Sequence, residues 1–130
     1  MAVSAKIYGK FFLSLANKEV DWDTDTIKVM LCTSTYTPDQ DAHQYKSSVT
    51  NEISGTGYTA GGATLTSAAA SYTGGTNTFA LTGATVAWAA STLTARYAVI
   101  YNSTPGTDAT RPLASYVDFG ADVATTSGTL

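Results

Sequence analysis

Asn51 to Gly62 reads NEISGTGYTAGG, with glycine at positions 55, 57, 61 and 62. Glycine at that density loses too much backbone entropy and packs too little side chain for the interior of a helix or a paired strand. The stretch is therefore read as a loop that divides the chain. Upstream lie one helix-like segment, one strong strand and an acidic connection. Downstream come only short Thr- and Ala-rich segments with strand alternation. The stretch also fits the dinucleotide fingerprint G-x-G-x-x-A over Gly55 to Ala60. That fingerprint works only between a buried strand and a helix whose first N–H groups receive a pyrophosphate. Ile53-Ser54 is hardly such a strand and Gly61-Gly62 a poor helix opening, so no nucleotide cofactor is expected.

Working outward, Val20 to Thr33 (VDWDTDTIKVMLCT) passes from acidic turn chemistry into the best strand of the sequence. Ile27, Val29 and Leu31 point one way and Lys28, Met30 and Cys32 the other; both faces are largely apolar, which predicts a central strand. Further upstream, Ile7, Phe11 and Leu15 fall at i, i+4, i+8, beside a second row of Tyr8 and Phe12. This spacing predicts an amphipathic helix over 4–17 with Ser4 as N-cap. Gly9 inside it implies either a close neighbour or a helix that starts later. Thr37-Pro38-Asp39 predicts a second, short helix from Pro38 to about Tyr45.

Beyond Gly62 the alternation marks candidate strands at 63–72, 78–81, 84–89, 94–101 and 113–119, separated by turn residues such as Gly74-Gly75 and Thr104-Pro105-Gly106. The predicted class is mainly β: an antiparallel sandwich or barrel-like domain spanning 1–130, with the N-terminal amphipathic helix and one short extra helix. The last residues, Ser127 to Leu130, are expected either to trail loosely or to close the sheet in some other way.

The totals narrow the chemistry. Seven Lys plus Arg against ten Asp plus Glu, with a net charge of -3, leave no basic patch for phosphates, so nucleic acid is not an expected partner. A single cysteine and a single histidine exclude an internal disulfide and a Cys/His zinc site within one chain. The apolar run near the N-terminus is too short for a signal core or a bilayer span, which predicts folding in a cytoplasm and no membrane partner.

Individual motifs read mostly as structure. Asp21, Asp23 and Asp25 match the start of a calcium loop, but Thr26 stands where its glycine belongs and Cys32 where its glutamate belongs, so no metal is expected. His43 with Asp39 or Asp41 and a serine lacks a nucleophile elbow and is no basis for hydrolysis. Cys32 reads as a small buried apolar residue. Asn102-Ser103-Thr104 is a sequon by pattern and reads as part of a turn. Tyr97, Tyr101, Tyr116, Trp88 and Phe119 could form a carbohydrate platform but at strand spacing read as sheet core or subunit contact.

Taken together, KIYGKFFLSLAN (6–17), WDTDTIKVMLCTSTYTPDQDAH (22–43), NEISGTGYTAGG (51–62) and TLTARYAVIYNSTPGTDATRPLASYVDFGAD (92–122) resemble a family of small structural proteins encoded by tailed bacteriophages and prophages. Members would be expected to carry a further alternating strand after the point where Leu130 stands. The resemblance implies no catalytic residues and no cofactor. It implies a non-enzymatic virion component, foremost a capsid decoration, cement or minor capsid protein bound to the particle surface, assembled in the bacterial host cytoplasm. The alternative is a tail-associated or fibre module that binds host-surface carbohydrate. Expected partners are the major capsid protein or tail proteins and further copies of the chain, with a trimer suggested by the threefold positions of capsid lattices. Ile7, Phe11 and Phe12 of the N-terminal segment and Gly55, Gly57, Tyr58, Gly61 and Gly62 of the glycine-rich loop are the candidate partner-binding residues.

Overall fold

The computed structural model describes residues 2–130. In chain order its elements are β1 (Ser4–Ile7), α1 (Phe11–Ala16), β2 (Ile27–Cys32), β3 (Ala63–Thr64), β4 (Ala69–Thr73), β5 (Thr78–Thr82), β6 (Thr94–Asn102) and β7 (Leu113–Ala124), with short 3-10 turns at Lys46–Ser48 and Asp108–Thr110. The chain is mainly β. An antiparallel sheet runs in the order β1-β7-β6-β2-β3, and β4 pairs with β5 in a separate hairpin. The sheet is open, since β1 and β3 are its two edges. As its apolar faces predict, β2 lies inside the sheet, paired along its length with β6 from Ile27↔Asn102 to Cys32↔Tyr97.

Both faces of the sheet are covered, and the alternation along β2 says by what. Met30 and Cys32 pack with Tyr8, Tyr36, Val99, Tyr101, Leu113 and Tyr116 under the 33–50 segment. On the opposite face Val29 and Leu31 join Ile53, Leu93, Ala95 and Ala98, while Ile27 joins Phe11, Val20, Trp22 and Ala114 near α1.

The glycine-rich stretch is not a free loop. Cys32 pairs with Glu52, Ile53 N–H donates to Leu31 O at 3.0 Å, and further on Ala63 and Thr64 pair with Val29 and Lys28. The chain from Asn51 to Leu65 is therefore an irregular outer strand of the sheet, interrupted by an excursion over 54–61. The excursion is pinned at both ends by Glu52, whose Oε2 accepts from Tyr58 OH at 2.6 Å and from Gly61 N–H at 2.7 Å. Tyr58 OH in turn accepts from Leu31 N–H at 3.1 Å, and Tyr101 OH donates to Gly61 O at 2.6 Å. Gly62, with φ of +86°, packs directly on β2, so that a Cβ there would fall on the Val29 carbonyl. Glycine makes the contact possible; the polar side chains fix it.

Several predicted elements differ from this structure. The helix predicted over 4–17 is strand β1 followed by a helix of only six residues, Phe11–Ala16. Gly9 separates the two, and its N–H donates to Gln40 O at 2.9 Å. The i, i+4 row fails there because Ile7 pairs with Ser115 of β7 instead of starting a helical turn. No helix forms over 38–45. Asp39 Oδ1 takes the N–H groups of Asp41 and Ala42 at 3.0 and 2.9 Å, a side-chain turn that competes with helical bonding. The segment predicted as one strand over 63–72 is broken at Ser67, whose φ is +55°. Residues 84–89 form no strand, yet Trp88 exchanges backbone bonds of 3.1 and 3.0 Å with Leu130. Ser91 likewise pairs with Gly128, so the C-terminal residues are fastened over the sheet face.

Candidate docking surface

Ile7 on β1 and Phe11 and Phe12 on α1 meet the base of the β4–β5 hairpin across a groove of about 450 Å³. Its wall is completed by Trp22, Leu65, Phe79 and Leu81, its floor by Ile100, Ala114 and Ser115, and no charged residue lines it. The geometry follows from local sequence. Strand β1 ends at the Tyr8-Gly9 turn, which turns the chain directly into α1 above the sheet. Trp22 Nε1 donates to Thr82 O at 3.1 Å and so ties the hairpin base to the segment before β2. Ala84 N–H donates to Thr66 O at 2.8 Å and closes the hairpin's neck.

The candidate residues do not all reach this surface. Ile7 is 48% and Phe12 57% exposed at the groove mouth, whereas Phe11 is 3% exposed and belongs to the core. Phe11 lines the groove from within the core, with its ring packed edge-on to Trp22 at 6.5 Å. Gly55, Gly57, Tyr58, Gly61 and Gly62 are elsewhere, on the β2 edge, and carry structural bonds. A Cβ on Gly55 would meet Thr92 O at 2.8 Å and one on Gly57 would meet Ser91 Cα at 2.9 Å. Deleting Gly55 to Gly62 would therefore break the sheet edge and would not isolate a docking function. The sequence marks the two strands of the hairpin on either side of Gly74-Gly75, but not the exposed aromatic pair that it carries. Its five cross-strand pairs run from Ala69↔Thr82 to Thr73↔Thr78, and Tyr72, 64% exposed, stands opposite Phe79, 55% exposed. The available signal was the alternation of Tyr72 and Phe79 with small residues on either side of Gly74-Gly75.

The remaining candidates resolve into structure. Asn102 is buried. Its amide donates to Glu19 O at 3.1 Å and to Asp25 Oδ2 at 2.7 Å, while its oxygen accepts from Thr104 N–H at 3.0 Å. The sequon is thus the clamp between β6 and the acidic turn, and Asp25 is part of that clamp. Asp21 and Asp23 are exposed and bonded to each other, which holds Asp21 below and pushes Asp23 above the usual carboxylate range. Among the described residues no three metal-ligating side chains converge. His43 Nδ1 meets Tyr36 OH at 3.0 Å and Asp39 N–H at 3.3 Å, and Tyr36 OH bonds to Tyr8 OH at 2.8 Å. Burial pushes the Tyr36 hydroxyl and the Cys32 thiol each up to about 12, as expected of core groups. Tyr97, Tyr101, Tyr116, Trp88 and Phe119 all lie in or against core clusters, and Trp88 packs on Tyr58 at 6.1 Å. The exposed aromatic side chains among the described residues are Phe12, Tyr72 and Phe79.

No family model, curated protein or solved structure matches the chain.

Proposed function

We propose that the chain is a non-enzymatic structural component of a tailed-phage particle, a decoration or minor capsid protein held on the particle surface by contacts repeated over many copies. Its partners are the major capsid protein or tail proteins. The observation that carries the reading is the uncharged groove between α1 and the hairpin, with Phe12, Phe79 and Tyr72 standing exposed around it. Soluble domains rarely expose neighbouring aromatic rings without a partner. Desolvating such a surface costs less than desolvating charges, and the sparse charge of the chain extends that property over the whole surface.

The mechanism is adhesive. Phe12 and Phe79 each leave roughly half of a ring's ~200 Å² in water, so covering them contributes about 2.5 kcal/mol apiece at ~25 cal/mol per Å². That is weak for one copy and ample for a lattice, where each bound copy faces a regular array of equivalent sites. The test is to purify particles of the phage or prophage that encodes the chain and locate it by peptide mass spectrometry and electron microscopy. A repeating density on the head or tail is expected. Recovery of the chain only in the soluble lysate, with none in the particles, would overturn the reading.

A further inference from the structure

Strand β1 leaves one edge of the sheet open: it pairs with β7 on one side only, and its four residues are all exposed. The phase of its hydrogen bonds is fixed by Tyr8, whose N–H donates to Ala114 O at 3.1 Å, one step beyond the Ile7↔Ser115 pair. In an antiparallel ladder alternate residues turn their N–H and C=O toward the same neighbour. Ser4 and Lys6 therefore face β7, while Ala5, Ile7 and, by continuation, Val3 turn their backbone groups outward. Gln40 Nε2 donates to Ile7 O at 3.0 Å from that outer side, in agreement with this phase. Among the described residues, the outward groups of Val3 and Ala5 have no bond from elsewhere in the chain. The side chains sort in the same way. Val3, 65% exposed, and Ile7, 48% exposed, share the groove face with Ala5, and Ser4 and Lys6 take the other.

We propose that a second copy of the chain adds to this edge, the two β1 strands pairing antiparallel with Ala5 opposite Ala5, so that two sheets become one. The register is chosen by the strand itself. It sets Val3 opposite Ile7 on the groove face and Ser4 opposite Lys6 on the other, so that polar meets polar and apolar meets apolar. A slip of one residue sets apolar against polar throughout. The register that centres on Lys6 places two ammonium groups side by side and loses bonds at Val3. Charge favours the Ala5 register as well. Ser4 stands opposite Asp118 in β7, so Lys6 of the second copy enters a row that ends on a carboxylate about 10 Å away, two strand spacings. Lys6 has no ion-pair partner in its own chain among the described residues. Within β1 Gln40 caps only Ile7 O, its own carbonyl taking Gly9 N–H beyond the strand, and the Ile7 carbonyl keeps a second lone pair for the incoming Val3 N–H. The contact is isologous and two-fold. It stands on the edge geometry alone, independent of the particle reading, and a trimer would use some other surface.

Proline separates this contact from the fold. Ala5→Pro removes only an outward N–H, at an edge position that tolerates proline, whereas Lys6→Pro removes a bond to β7. Sedimentation of the purified full chain over a concentration series should show dimers for the native sequence. Ala5→Pro should give monomers that melt at the native chain's low-concentration temperature, with no rise as concentration increases, and Lys6→Pro should melt lower still. Ala5→Cys provides a second measurement that leaves the backbone intact. Mild oxidation should yield a disulfide-linked dimer, since directly paired residues lie within disulfide reach and the native Cys32 is buried. Lys6→Cys should not cross-link in this register. Native chain that remains monomeric at the highest concentration, Ala5→Pro that dimerises like the native chain, or Lys6→Cys that cross-links as fast as Ala5→Cys would each overturn the proposal.

Discussion

Replacing Gly62 by alanine should cost the protein a large share of its stability, although the change adds one methyl group at a half-buried position. The added Cβ would fall on the Val29 carbonyl oxygen, 2.6 Å from the carbonyl carbon and 2.7 Å from Met30 Cα. These atoms belong to β2, which is held by β6 and cannot retreat. The outer chain must therefore move, and the Val29↔Ala63 and Lys28↔Thr64 pairs open. Losing those bonds costs about 1–3 kcal/mol, and holding alanine at φ of +86° adds roughly 1–2 kcal/mol. The total is about 2–5 kcal/mol, or a fall in Tm on the order of 7–18 °C. At the hairpin tip, a Cβ added to Gly74 would have no neighbour within 4 Å, so Gly74→Ala should change stability by no more than about 0.5 kcal/mol. Urea denaturation of both variants reads the difference directly. Gly62→Ala within about 0.5 kcal/mol of the native chain would refute the claim that this segment is built into the sheet edge.

Asn102→Ala removes both amide donors from Glu19 O and Asp25 and the acceptor from Thr104 N–H; denaturation should show a loss of about 2–3 kcal/mol. Cys32, wholly buried with its thiol pushed up to about 12, should react with a thiol reagent only as fast as the protein opens, so labelling should follow the unfolding transition across a denaturant series. The Asp118 carboxyl is held below the usual carboxylate range by the hydrogen bond from Arg96 and then by Gly120 N–H. Its contribution is therefore present above the unfolded-chain value of ~3.9 and lost as pH falls through the lower folded value. Asp118→Asn should lower stability near neutral pH by about 0.5 kcal/mol and leave a shallower acid limb in a plot of Tm against pH.

The legible parts of this fold were those where side-chain periodicity and burial agree. Ile27 to Cys32 alternates between two apolar faces and is an interior strand; Thr94 to Tyr101 and Leu113 to Phe119 follow for the same reason, whereas the extension of β7 to Ala124 runs through exposed residues that the alternation did not mark. Where backbone bonding overrides periodicity, the sequence misleads. Tyr8 and Phe12 have helical spacing, but Tyr8 belongs to the turn after β1 and its hydroxyl bonds to Tyr36. Asp39 promises a helix N-terminus and instead closes a turn on the N–H groups of Asp41 and Ala42. The glycines of 55–62 announce positive φ and close approach, and both occur. What they do not announce is the partner, because the excursion is held by Glu52 and Tyr58 of the same stretch together with Leu31 N–H and Tyr101, which are distant in sequence. The groove was half legible. Ile7 and Phe12 stood out by hydrophobicity, while the hairpin wall opposite them depends on Trp22 reaching Thr82, a contact between residues far apart in sequence.

The central functional claim is that the groove between α1 and the hairpin is the adhesive surface, and it is tested most directly by substituting both exposed rings, Phe12→Ser with Phe79→Ser, and measuring copies retained per purified particle. Both side chains are more than half exposed, so the melting temperature should stay close to native while retention falls to a small fraction of the native value. Native retention by a doubly substituted chain that is equally stable would contradict the account.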